Sequence, residues 1–297
     1  MAVEFEPTTQ HIQQGLAATL SVTFYADGVV ADPDVTTVTI TRLDGTAIAT
    51  DAATSGSGAA ARTYALTSVQ TADLDILTVA WDSATYGTVE QTVEITGGVL
   101  FTIREARAYD NGAMASAATY PTATIEEARA RVTDEFERIC GVSFVPRIER
   151  VTLDGAGDDW LFLPRLRVLA VRDIEVLDTT DGTWTAYTVD ELADVQILDL
   201  GRVRRLDGTT FVSGRQNVRV TYEHGWRQPP LAIRQAALAV LRFTLVPGNF
   251  SERAISLSSE FGTTQLSTPN PERGRYYGLP VVDAVIDRYV EKVPVVG

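Results

Sequence analysis

Cysteine is almost missing from this sequence: Cys140 stands alone in 297 residues. An internal disulfide is therefore excluded, and a cysteine-based metal site has no ligand set. Cys140 falls on an apolar stripe, where a buried thiol is expected rather than a nucleophile. Histidine is nearly as scarce. His11 and His224 are the only two, and neither has the H-E-x-x-H setting or second ligand of a metal site. His224 precedes Gly225 and Trp226 at a strand end, where packing is the expected role. Lysine occurs once, at Lys292, against 24 arginines; arginine forks suit carboxylate pairing between protomers. No run reaches the ~18 apolar residues of a membrane span. Leu231–Val246 comes nearest but carries Arg234, Gln235 and Arg242. Met1–Pro7 lacks the basic-then-apolar layout of a signal peptide, so cytosolic accumulation is the expectation.

Excess positive charge is also lacking. The formal net charge is −14, and residues 1–97 hold 12 acidic against 2 basic side chains. Residues 98–297 hold the other 27 acidic and 23 basic ones. Neither part has the net basic footprint of a protein that grips nucleic acid.

The most strongly patterned stretch is Tyr120–Pro146. Ile125, Ala128, Val132, Phe136, Ile139 and Cys140 recur at helical spacing on one face. Thr124 and Glu127 have capping-box spacing, Gly141 fits a left-handed C-terminal position, and Pro146 forbids continuation. Glu127–Arg131 and Asp134–Arg138 are i,i+4 pairs on the opposite face. This apolar stripe needs a partner. Pro229-Pro230 opens a second helix to Val246 whose apolar residues (Leu231, Ile233, Ala236, Ala237, Leu238, Val240, Leu241, Phe243, Leu245) nearly surround it. Such a helix belongs at the centre of a helical core.

Residues 1–97 read as all-β. Alternation appears at Leu20-Val22-Phe24, Val38-Ile40, Leu77-Val79-Trp81 and Val89-Gln91-Val93-Ile95, between turn signals such as Asp27-Gly28 and Asp44-Gly45. About 90 residues of short strands suggest an immunoglobulin-like β-sandwich, with Gly97-Gly98 as a hinge. The expected fold is multidomain α+β: a sandwich over 1–97, then a domain over 98–297. Its helices are expected near 102–110 (capped by Thr102 and Glu105), 124–141, 230–246 and 279–293. A small β insert occupies about 147–226, and 249–278 forms an arm or hairpin, with Ser256, Phe261, Gly262 and Leu266 as arm candidates.

Several sharper motifs fail on inspection. Asp154-Gly155-Ala156-Gly157-Asp158-Asp159 lacks the alternating acidic order and distant glutamate of a calcium loop, and reads as a solvated turn. Gly155-x-Gly157 opens no helix, and Ser213-Gly214 has no nucleophile-elbow context. The Arg-rich Gly201–Arg205 has no interleaved aromatic residue for stacking on DNA. No catalytic residue, cofactor or metal ligand is assigned.

The order of parts resembles a known family. The helix ending Ile139-Cys140-Gly141-Val142-Ser143-Phe144 is followed by a strand-rich insert with Leu161-Phe162-Leu163-Pro164. Then come Val218-Arg219-Val220-Thr221-Tyr222-Glu223-His224-Gly225-Trp226 and the Pro-opened helix. Together with the ending Gly278–Tyr289, this resembles the head-to-tail connector (adaptor) proteins of long-tailed bacteriophages, over residues ~100–297. The N-terminal sandwich departs from the minimal family pattern. The resemblance implies a non-enzymatic virion protein, made in the host cytoplasm and placed in the neck. It would form a homo-oligomeric ring, expected to be a dodecamer, docked on the portal protein and meeting a tail-side neck or stopper protein. Genomic DNA would pass through its lumen without sequence-specific binding, and no membrane is involved. Arg202, Arg204 and Arg205 against Asp154, Asp158 and Asp159 are the candidate contacts between neighbours. A carbohydrate- or protein-binding module carried by the sandwich is the alternative, and a hydrolase with an accessory sandwich a third reading.

Overall fold

The computed structural model describes residues 3–7, 11–58, 61–178, 181–246, 256–259, 262–265 and 276–290. By contacts the chain divides into two compact units: Met1–Gly98 with Pro146–Gly225, and Val99–Val145 with Trp226–Gly297. The longer helices thus group together from either side of the strand-rich insertion, which keeps one short helix of its own. The insertion groups with the N-terminal strands, a division that runs otherwise than the 97/98 boundary drawn from the sequence.

In the first unit, β1 (Val3–Pro7), β3 (Ala18–Ala26), β4 (Val29–Val30) and β7 (Arg62–Leu66) form one sheet, with β1, β4 and β7 all pairing β3. A second sheet runs in the order β2 (His11–Gln13), β9 (Gly87–Thr96), β8 (Asp75–Ser83), β5 (Thr36–Thr41), β6 (Ala47–Ala53). The β2–β9 pairing is parallel and the rest antiparallel. Period-two alternation explains the core. Leu20, Val22 and Phe24 from one sheet meet Val38, Ile40, Leu77, Val79, Trp81, Val93 and Ile95 from the other, all buried.

The insertion builds a sheet in the order β10 (Arg147–Gly155), β16 (Gly214–His224), β12 (Val168–Leu177), β13 (Trp184–Ala186). A smaller sheet runs β11 (Trp160–Phe162), β15 (Arg202–Arg205), β14 (Val195–Ile197). The short helix α3 (Val189–Ala193), opened by a Thr188/Glu191 capping box, precedes β14. The two sheets share a core of Leu161, Leu163, Ile174, Val203, Phe211, Val218, Val220 and Tyr222. Gly97, expected as a hinge, instead donates its N–H to Pro146 O at 2.8 Å. A Cβ there would lie 2.6 Å from the Pro146 ring, so this close approach requires glycine.

The second unit is helical. α1 (Ile103–Gly112) has the expected Thr102/Glu105 capping box. α2 (Thr122–Cys140) buries Ile125, Ala128, Val132, Phe136 and Cys140, and ends on Gly141 at φ 73°. The capping box expected at Thr124/Glu127 does not form. Pro121 O already accepts from Ile125 N–H, so the helix starts two residues before Thr124 and places it inside the first turn. Glu127 pairs instead with Arg131 at 2.5 Å, as the spacing predicts.

α4 (Leu231–Leu245) packs against α1, α2 and α5 (Pro280–Tyr289), and buries Ile233, Ala236, Ala237, Leu238, Val240 and Leu241. It is the partner that the α2 stripe required. Its ends depart from the expectation: Leu231 and Phe243 are exposed, because the neighbouring helices cover only its middle turns. β17 (Ser256–Ser259) and β18 (Gly262–Gln265) form an antiparallel hairpin that includes Ser256 and Gly262. Phe261 and Leu266 lie outside the described residues. No described helix is long and apolar enough to cross a membrane.

Candidate protomer-contact surface

The six charged residues singled out from the sequence converge around β11 and β15, and the arrangement assigns them different tasks. Arg204 Nε meets Asp159 Oδ2 at 2.7 Å within the same chain. The antiparallel register makes this local: Trp160 faces Arg204 across the ladder, so the preceding Asp159 falls beside the guanidinium. The pair is solvent-exposed and contributes about 1 kcal/mol or less.

Arg205, one position further, points to the opposite face of the strand and is buried. It bonds Asp207 Oδ2 at 2.5 Å and Tyr187 Oη at 2.6 Å, with its guanidinium 4.7 Å from the Tyr187 ring centroid. The Asp207 bond holds the Arg205 guanidinium more firmly protonated than usual. Arg205 and the N–H and hydroxyl of Thr209 hold the Asp207 carboxyl well below the usual carboxylate range. Burial pushes the Tyr187 hydroxyl up, against the pull of Arg205. These contacts give Arg205 a structural task.

Arg202 Nε donates to Asp199 O at 3.3 Å. Asp154 Oδ1 accepts Gln216 N–H at 2.7 Å across the β10–β16 bulge. Asp158 O and Asp159 O accept Phe211 N–H and Arg205 N–H, so the acidic turn is tied down through its backbone. Asp154 and Asp158 are exposed, and Asp159 is half-buried beside Arg204. Gly155 is obligatory here: a Cβ would fall 1.8 Å from Val212 O. Among the described residues no group of three or more His, Cys, Asp or Glu could hold a metal ion.

Sequence reasoning missed Trp160 and Phe162. The register sets Trp160 opposite Arg204 and Phe162 opposite Arg202, so the arginine strand does have aromatic neighbours, about 40 residues away in sequence. Both rings are exposed and meet edge to face, centroids 4.6 Å apart. The period-two pattern Trp160-Leu161-Phe162, with Leu161 buried, was the available signal.

A second polar cluster ties the N-terminal sheets to the insertion within the first unit. Glu94 on β9 pairs with Arg147 on β10 and lies 3.4 Å from His11 Nδ1 on β2. Burial pushes the Glu94 carboxyl up. The His11 hydrogen bond and the charges of Arg147, His11 and His224 outweigh it and leave the group below its ordinary value. On the β16 end, His224 Nε2 lies 3.7 Å from Glu149 Oε2, which also takes Tyr222 Oη–H at 2.9 Å and Arg165 Nε–H at 3.0 Å. Burial drives His224 down to about 4, against the opposite pull of Glu149. His224 is packed, its ring 5.8 Å from that of Tyr222, as expected. Arg150 Nη1 adds a bond to Leu43 O at 2.7 Å.

No protein-family model and no curated protein matches this sequence. Solved structures similar to parts of it include the neck of an empty gene transfer agent (GTA) particle computed with C6 symmetry. There the identity is 16%, over 59% of this chain and 81% of that one, with a TM-score of 0.39. The neck of a native GTA particle computed with C12 symmetry stands at 15% identity, over 61% and 93%, with a TM-score of 0.38. The human B7-H4 IgV-like domain stands at 13%, over 31% and 95%, with a TM-score of 0.20. All three fall below the level at which a shared fold carries a shared role.

Proposed function

We propose that the chain is a structural virion protein of the neck, forming an adaptor ring beneath the portal that joins capsid to tail and continues the DNA channel. What carries this reading is the helical core. α4 is enclosed by α1, α2 and α5 in a unit assembled from both sides of a strand-rich insertion, the order of parts that resembles phage head-to-tail adaptors. The two-sheet N-terminal region is read as an immunoglobulin-like domain (1–97) added to an adaptor domain (98–297). Its Glu94–Arg147 attachment favours a part of the protomer over a separate binding module.

In this reading the protein works by shape and contact, without catalysis. Twelve copies close a ring through heterologous interfaces, which need different patches on the two sides of each protomer. Arg202, Asp154 and Asp158 remain the charged candidates for those patches, and 249–278 is the arm that reaches a neighbour or the portal. A net charge of −14 suits a DNA passage, since like charge keeps the duplex from adhering.

The test is electron microscopy of the purified chain and of particles carrying a gold-binding tag on it. A closed ring, and label at the junction of head and tail, is the expected result. A chain that stays monomeric at high concentration and leaves the neck unlabelled would remove the reading.

A further inference from the structure

The acidic turn and β11 border an open cleft of about 200 Å³, lined by Leu153, Asp154, Ala156, Asp158, Trp160 and Phe162 among others. This is smaller than the roughly 300–1,000 Å³ that a drug-sized ligand occupies, and leaves room for one side-chain head group. Two of its walls are aromatic, at an interplanar angle of 78°. The rings meet edge to face, so the edge of one covers part of the other, and both side chains remain partly exposed. Two carboxylates complete the lining. Asp159 is engaged by Arg204, whereas the Asp158 carboxylate makes no hydrogen bond or ion pair among the described residues. Asp154 keeps one oxygen beyond its bond to Gln216 N–H.

Aromatic rings with only two carboxylates offer too few oxygen ligands for a metal ion, and among the described residues no group of three or more His, Cys, Asp or Glu could hold one. They suit a flat, weakly hydrated organic cation, which stacks on a ring face while its N–H groups reach the carboxylates. We propose that this cleft receives a guanidinium group, and that the group is an arginine of a second copy of this chain. Arginine supplies 24 of the 25 basic residues, so the chain itself carries the matching cation in quantity. Exposed Trp beside Arg is also the composition of an interface hot spot. The assignment of the arginine to a second copy rests on the ring reading above. The chemistry of the cleft does not.

Two measurements separate these points. The Trp160 indole N–H resonance of the full chain is followed during titration with N-propylguanidinium, using sodium chloride at equal ionic strength as control. A saturable shift is expected, with binding at least fivefold weaker in Asp158→Asn and in Phe162→Leu. No shift, or the same shift with salt alone, overturns the site. Ring formation by the full-length variants Trp160→Ala and Asp158→Asn is then measured by sedimentation. All the altered side chains are exposed, and circular dichroism checks the fold. Assembly at least fivefold weaker than wild type is expected. Wild-type assembly in both variants overturns the second copy as the source while the ring stands. A wild-type chain that binds propylguanidinium but forms no ring overturns the ring, and with it this source. Strong binding of a neutral oligosaccharide to the same cleft would place a carbohydrate there instead and overturn the proposal.

Discussion

Acid should weaken the first unit through His224. The side chain is buried between Glu149 and Arg165 of the insertion and the Glu94–Arg147 pair, and its value falls from 6.5 to about 4. The unfolded chain therefore binds a proton in a pH range where the folded chain does not. Stability from neutral His224 is complete above the unfolded value and is lost as pH falls through the folded one. At about pH 5 the difference in proton binding amounts to about 2 kcal/mol, and the limit below pH 4 is about 3 kcal/mol. Glu94, whose carboxyl is also depressed, adds a loss of the same sign only at more acid pH. A comparison of roughly pH 7.5 with pH 5 thus isolates the histidine. Urea unfolding followed by tryptophan fluorescence is suited to it, since Trp81, Trp160 and Trp184 belong to this unit. Wild type should lose about 2 kcal/mol more than His224→Gln over that interval. Equal losses in the two proteins would refute the assignment.

Three other outcomes follow from packing. Leu238→Asp places an unpaired carboxylate in the α4 core and should cost several kcal/mol, on the order of 3–5, seen as lost helical ellipticity or insoluble expression. Gly155→Ala forces a methyl group against Val212 O and should cost about 1–3 kcal/mol in thermal unfolding, whereas Gly98→Ala, with open space around it, should change little. Cys140 is buried, and burial with the nearby Glu137 charge pushes its thiol up to about 12. At about pH 8 only ~1 in 10⁴ is thiolate, so labelling by a disulfide reagent should track unfolding; rapid labelling of the folded protein would contradict this burial.

Much of the fold was legible because it is written in short-range order. The 3.6-residue period of Ile125, Ala128, Val132, Phe136 and Cys140 identifies an amphipathic helix. The nearly all-round apolar character of Leu231–Leu245 identifies its partner. Alternation placed Leu20, Val22, Phe24, Leu77, Val79 and Trp81 in a β core. Helix starts were less legible. Thr124/Glu127 has the spacing of a capping box, but the backbone three residues earlier had already engaged Ile125, and local spacing carries no record of that competition.

Long-range pairing was decided by the tertiary structure alone. Sequence provides Arg202, Arg204 and Arg205 in a row and three aspartates about 45 residues before them; only the β11–β15 register makes Arg204 the partner of Asp159 and turns Arg205 inward to Asp207. The same register brings Trp160 and Phe162 beside arginines whose own segment contains no aromatic residue. Glu94 and Arg147 stand 53 positions apart, and nothing periodic links them. Periodicity specifies which face of an element is apolar, because that depends on neighbours within a turn or a pleat. Which elements meet, and in what register, depends on closing loops of tens of residues, and that information lies in the whole packed chain.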